Sequence, residues 1–258
     1  MITSAQNAKI QEVRRLTAKK KERDAAGRYV LEGIRLCEEA LNYASDCCYV
    51  LYAEPLSERG RRLVRHFSDA GTETEEISPR LMESIAATDG PQGVLAVMTM
   101  QPLPLPKRSD FVIIADGIQD PGNLGTLFRT AAAAGADGLL LMPGCADVFS
   151  PKVIRSAMGT HFRMPFTHKN WEQAETFLHR EQNLQVFVAD SDGGISCWET
   201  DFTRPCGLII GSEGNGPCDA ALTLADARVL IPMPGAIESL NASIAAGILI
   251  FEAVRQRS

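Results

Sequence analysis

Apolar residues along the first hundred positions recur with two alternating periods. Ile10, Val13 and Leu16 return at helical spacing among charged neighbours, which predicts a helix over 4–24 capped by Thr3 or Ser4. Residues 29–31 read as a strand and 34–41 as a helix. A short apolar run at 48–53 reads as a second strand. An amphipathic helix is expected over 58–70, ending at Gly71, then a helix over 79–87 and a strand over 94–98. This alternation predicts a small α/β domain. The stretch 101–109, QPLPLPKRS, carries prolines at 102, 104 and 106, which hold it extended and bar helix. The domain boundary is therefore expected there, with domains over 1–105 and 106–258.

Beyond it the strands are apolar at nearly every position, as strands buried on both faces are. Residues 111–115 open this series, followed by a turn-rich loop, DGIQDPGN, and a helix expected to start near Asn123 and run to Gly135. Further strands are expected at 139–142, 185–189, 207–210 and 228–231. Helices are expected to begin at 151 and to span 239–256, the last capped by Ser239. Strands separated by helices predict an α/β fold with a mainly parallel sheet covered on both faces.

Charge changes this picture at one end. The 258-residue chain carries a net −6, yet residues 1–35 hold nine Lys or Arg against four acids. A local basic patch can bind phosphates on an acidic molecule, or it can be a solvated helix face. No apolar run follows the N-terminal charges, so no secretory signal is read, and the longest apolar stretches are too short to cross a bilayer. A cytoplasmic protein is expected. The seven cysteines form no C-x-x-C pair, which speaks for reduced thiols, and with four histidines no metal centre is expected.

Three strand-end loops could carry chemistry. In the first, residues 116–131, Asn123 is either a helix cap or a site residue. Arg129, on a helix rich in alanine, is either solvated or suited to grip a phosphate. In the second, LIIGSEGNGP at 208–217, a strand runs into three glycines. They serve either a tight turn or close approach to a ligand, with Glu213 exposed or ligand-bound. That run is neither a dinucleotide fingerprint nor a P-loop. In the third, residues 231–257, a strand ends at Pro232-Met233-Pro234-Gly235 and Ser239 and Asn241 stand at the start of a small, apolar helix.

Together these loops resemble the three motifs of the SpoU, or TrmH, family of RNA ribose methyltransferases within the SPOUT superfamily. The matching residues are N-x-G-x-x-x-R at Asn123, Gly125 and Arg129, G-S-E-G-N-G at 211–216, and I-P-M with S-L-N at 231–233 and 239–241. S-P-K-V-I-R-S-A-M-G at 150–159 is also similar to the family. The N-terminal I-T-S-x-x-N-x-K-I with Leu31-Glu32-Gly33 resembles the ribosomal-protein-like substrate-binding domain of some members. The resemblance implies a homodimer, a deep trefoil knot in the second half, S-adenosylmethionine as cofactor and RNA as partner. It implies Arg129, Asn123, Glu213, Ser239 and Asn241 as catalytic residues. It further implies Ala189, Gly211, Glu213, Gly216, Ile231, Met233 and Leu240 as the donor cradle. Ala189 departs from the family, where threonine is common.

The activity so implied is methylation of a ribose 2′-hydroxyl, in ribosomal RNA of the large subunit ahead of transfer RNA. A guanidinium with pKa above about 12 is a poor base, so Arg129 is expected to hold phosphate and stabilise developing charge. The rivals are a non-enzymatic RNA-binding protein, which needs neither G-S-E-G-N-G nor S-L-N, and a nucleotide-dependent oxidoreductase, which needs a glycine fingerprint after the first strand.

Overall fold

The computed structural model describes residues 1–43, 46–214, 216–235 and 239–258. The chain divides into one unit of Met1–Gln101 with Phe149–Phe162 and a second of Pro102–Val148 with Arg163–Ser258.

In the first unit the N-terminal helix is two helices, α1 (Ala8–Ala18) and α2 (Lys20–Ala26), because Lys19 is extended between them at φ −132° and ψ 126°. The cap of α1 is Asn7, whose side chain accepts from the Lys9 N–H, rather than Thr3 or Ser4. Strand β1 (Arg28–Glu32), helix α3 (Ile34–Asn42), strand β2 (Cys47–Tyr52) and helix α4 (Glu58–Asp69) follow the apolar pattern closely. Strand β3 (Glu73–Glu76) lacks apolar residues and gives no sequence signal; it pairs in parallel with β2 at the sheet edge. Helix α5 (Pro79–Ile85) and strand β4 (Val94–Thr99) complete a four-stranded sheet ordered β1-β4-β2-β3.

Period-two alternation splits this sheet into two buried faces. Val30, Leu51, Leu95 and Val97 pack with Ile10, Val13, Leu16 and Leu81 on the α1 and α5 side. Tyr29, Leu31, Val50, Ala96 and Met98 pack with Cys37, Ala40, Leu63 and Phe67 on the α3 and α4 side. Helix α7 (Pro151–Ala157), though late in the chain, adds Ile154 to this second core, and Phe162 joins it. The rings of Phe149 and Tyr29 lie 4.8 Å apart.

The second unit holds strand β5 (Phe111–Ala115), helix α6 (Pro121–Ala133), strand β6 (Gly138–Leu141), strand β7 (Phe166–His168), helix α8 (Trp171–Glu175) and strand β8 (Gln185–Ala189). Strand β9 (Ile195–Ser196), strand β10 (Cys206–Ile210), helix α9 (Asp219–Leu224), strand β11 (Ala227–Leu230) and helix α10 (Ala242–Arg257) complete it. The seven strands order β7-β6-β5-β10-β8-β11-β9, and every pairing is parallel. Val112, Ile114, Val186, Val188 and Ile209 form one core with Ala174, Leu178 and Ala221, beneath α8 and α9. Alternate residues face α6 and α10, which pack on each other. Phe128 of α6, fully buried, meets Phe166 edge-on at 5.3 Å. At the far end of α10, Arg257 stacks 4.6 Å over Phe111 and donates to the Phe202 and Arg204 carbonyls.

Two predicted helix starts shift. Helix α6 begins at Pro121, not Asn123, because Asp120 is the cap and its carboxylate accepts from the Asn123 N–H at 2.9 Å. Helix α10 begins at Ala242, not Ser239, because Asn241 caps it through the Ser243 and Ile244 N–H groups. Strands β7 and β9 and helices α8 and α9 are too short to give a clear period in the sequence.

Candidate active site

Strands β8, β10 and β11 all end on one edge of the second sheet, and the loops leaving them enclose a cavity of about 700 Å³. This is the position where open parallel sheets hold ligands, and the size is that of a small-molecule site. Its apolar floor comes from Ile210, Leu222, Val229, Ala245 and Leu249. Ala189, Gly211, Glu213, Gly216, Ile231, Met233 and Leu240, drawn from all three loops, line it together, with Ser239 beside them. Asn215, within the glycine motif, lies outside the described residues.

Gly211 is needed here for lack of a side chain. A Cβ at that position would sit 2.6 Å from the Gly216 carbonyl oxygen, inside backbone. The chain doubles back so closely because Ser212 and Gly216 exchange backbone hydrogen bonds at 3.0 and 3.2 Å. Asp116, at the end of β5 and only 6% exposed, steadies the exit of this loop by accepting from the Cys218 N–H at 2.8 Å.

Charged lining residues are Asp190, Asp192, Glu213 and Arg228. The Arg228 guanidinium pairs with the Asp190 carboxylate at 3.3 Å, and Asp190 also accepts from the Asp192 N–H. Among the described residues, three carboxylates against one guanidinium leave the lining negative, which favours a cationic ligand. A cradle closed by bare backbone, an apolar floor and an acidic rim suit a nucleoside carrying a sulfonium charge.

Beside the cavity four polar residues are tied together. The Asn123 amide donates to the Glu213 carboxylate, and its oxygen accepts from the Asn241 amide and the Ser243 hydroxyl, each at 3.2 Å. Asn123 and Asn241 thus reach the cavity through Glu213 and the start of α10 rather than by lining it. Arg129 is exposed on α6, is not among the lining residues, and makes no hydrogen bond or ion pair among the described residues.

Sequence reasoning missed Asp116, Asp190, Arg228 and Ser243. A carboxylate immediately after a buried strand, as at Asp116 and Asp190, is a signal that could have found two of them.

The basic N-terminal segment is largely engaged within its own unit. Lys9 pairs with Glu73 and Glu75, Lys20 with Asp24, Arg28 with Glu12, and buried Arg23 donates to the Leu16 and Thr17 carbonyls. Lys19, Lys21 and Arg35 are exposed and have no such partner among the described residues.

The fold and the cavity define a class: an α/β enzyme that holds a small ligand at the carboxyl ends of a parallel sheet, with a polar network at the rim. Residues 110–251 match the SpoU rRNA methylase family, and residues 7–96 match the MRM3-like substrate-binding domain. The chain belongs to the SpoU rRNA methylase family. It is 34% identical to the 23S rRNA (guanosine(2553)-2′-O)-methyltransferase RlmP of Bacillus subtilis, covering 97% of each chain. The AviRb SpoU methyltransferase of Streptomyces viridochromogenes, solved in complex with AdoMet, superimposes with a TM-score of 0.86 at 32% identity, over 97% of this chain and 99% of that one. An AdoMet-bound rRNA methyltransferase from Sinorhizobium meliloti does so with a TM-score of 0.86 at 30% identity, over 98% of this chain and 97% of that one.

Proposed function

We propose that the protein methylates a ribose 2′-hydroxyl of large-subunit ribosomal RNA, using S-adenosylmethionine held in the cavity at the ends of β8, β10 and β11. The observation that carries this reading is the convergence of Ala189, Gly211, Gly216, Ile231, Met233 and Leu240, from three loops, on one cavity. When bound, the donor supplies a reactive methyl group on sulfur.

The chain's own part is alignment and charge. The missing side chain at Gly211 lets the loop double back on Gly216 and so sets the shape of the donor cradle, and Glu213, held by Asn123, fixes the rim. Aligning the two reacting partners contributes several kcal/mol, up to about 7–11. Arg129 grips an RNA phosphate and stabilises charge growing on the attacking oxygen, through the forked N–H donors of its guanidinium. RNA is selected over DNA because only RNA offers the 2′-hydroxyl.

Arg129 stands outside its own chain's cavity, so a second copy supplies it. A homodimer is supported by the apolar stripe of α10, where Ile244 is 55% and Phe251 49% exposed. Family membership further implies a trefoil knot around the cavity loops. Residues 1–105, with 149–162 folded into the same unit, serve as the RNA-gripping domain, and the rest of 106–258 as the catalytic one. The enzyme works in the cytoplasm beside its RNA.

The test is calorimetry with S-adenosylmethionine together with methyl transfer to ribosomal RNA from cells lacking the gene. Tight donor binding and one new ribose-methylated site are expected. No binding, or RNA binding without transfer, would return the chain to the class of non-enzymatic RNA-binding proteins. Arg129→Ala is expected to abolish transfer with donor binding intact, and near-full turnover in Arg129→Lys would refute a guanidinium-specific role.

A further inference from the structure

Ser243, the second residue of α10, is half-buried and belongs to none of the motif positions that define the site. Its hydroxyl oxygen lies 2.7 Å from the Asn241 side-chain oxygen and 3.2 Å from that of Asn123. The Asn241 oxygen already accepts the backbone N–H groups of Ser243 and Ile244, at 3.0 and 3.3 Å, and an amide oxygen has two lone pairs. Among the described residues the Asn123 oxygen has one other donor, the Asn241 amide at 3.2 Å.

A serine hydroxyl has a single proton and rotates freely about its C–O bond. Set between two oxygens, it can serve either. Without it, Asn123 would be held on its oxygen side by one long hydrogen bond. Glu213, at the cavity rim, has Asn123 as its hydrogen-bond partner among the described residues. The restraint on the rim carboxylate therefore runs from Ser243 through Asn123.

We propose that Ser243 is a positioning residue for methyl transfer: its hydroxyl locks the Asn123 amide with nitrogen toward Glu213, and so fixes the rim of the donor cavity. The proposal rests on the reading of that cavity as the methyl-transfer site. Ser243 touches neither donor nor RNA in this scheme; it acts through the two asparagines. Its effect belongs in turnover, because the donor's floor and glycine cradle are untouched.

The experiment compares full-length wild type, Ser243→Ala and Ser243→Thr. Methyl transfer is measured from S-adenosylmethionine to ribosomal RNA from cells lacking the gene, and the Asn123 side-chain amide is followed by ¹⁵N NMR. Loss of one neutral hydrogen bond predicts a fall in kcat of about tenfold for Ser243→Ala. The KM for S-adenosylmethionine should stay within about twofold, and hydrogen exchange at the Asn123 amide should rise severalfold. Ser243→Thr, which keeps the hydroxyl, should recover most of both. Wild-type kcat in Ser243→Ala, or a threonine variant no better than alanine, overturns the proposal. So does a lower melting temperature with unchanged kcat, the mark of a merely structural residue. A wild type that transfers no methyl group would sink the functional reading alone, because the amide exchange still reads the positioning claim.

Discussion

The side-chain amide of Asn123, on the first turn of α6, donates to the carboxylate of Glu213, ninety positions later in the glycine loop. A neutral donor facing a carboxylate is favourable; a second carboxylate there would repel it. Asn123→Asp should therefore impair methyl transfer more than Asn123→Ala at pH 7, by roughly tenfold. Equal activity of the two variants would mean that Glu213 does not depend on this hydrogen bond.

Gly211 bears on donor affinity through space alone. Gly211→Ala would force a Cβ into the Gly216 backbone, and should weaken S-adenosylmethionine binding at least tenfold by calorimetry. Gly235→Ala, off the cavity lining, meets no atom within 4 Å and should bind within about twofold of wild type. The pair separates a crowded backbone from loop substitution in general.

Lys19, Lys21 and Arg35 are exposed N-terminal cations whose side chains make no hydrogen bond or ion pair among the described residues. Replacing all three with alanine should weaken RNA binding and flatten its salt dependence, by about 0.7–0.9 in log–log slope for each phosphate no longer neutralised. Lys9→Ala should leave RNA affinity unchanged, because Glu73 and Glu75 already engage Lys9. Filter binding across a salt series checks both.

The exposed apolar side chains of α10 give a test of assembly. Ile244→Glu with Phe251→Glu should yield monomers by sedimentation, and turnover should fall with them while donor binding persists. A fully active monomer would show that Arg129 does not come from a second copy.

Glu252 titrates far from neutrality. The Arg255 guanidinium, then Gln256, hold its carboxyl down at about 2, against partial burial that opposes them. A depressed carboxylate stabilises the fold fully above its ordinary pKa of about 4.5, and that contribution is lost as pH falls toward 2. Glu252→Gln should melt lower than wild type at pH 7, and the gap should close as the pH is taken from 4.5 to 2. A pH-independent gap would mean that charge is not what Glu252 contributes.

Period and turn residues made most of the second sheet legible: β5 and β8 fall where their apolar runs lie, and the glycine run marks the cavity loop. The hidden parts were set by tertiary partners. Strand β3, Glu-Thr-Glu-Glu, is a strand because β2 offers it a free edge, not because of its own residues. Asn123 looked like a cap, yet Asp120 takes that place because Pro121 suits the first helical turn and frees Asn123 to face Glu213. Ser243 carries no signal in sequence, since its importance arises from two amides brought to it by folding.

Residues 149–162 fold into the first unit although they are encoded after β6. A gene fragment stopping at the proline stretch would thus yield a front half with a bare apolar trough where Ile154 and Phe162 belong. The complementary fragment would carry those residues as an orphan hook. Such halves should aggregate when expressed separately, and chimaeras between relatives should succeed only when the hook travels with the trough it fills.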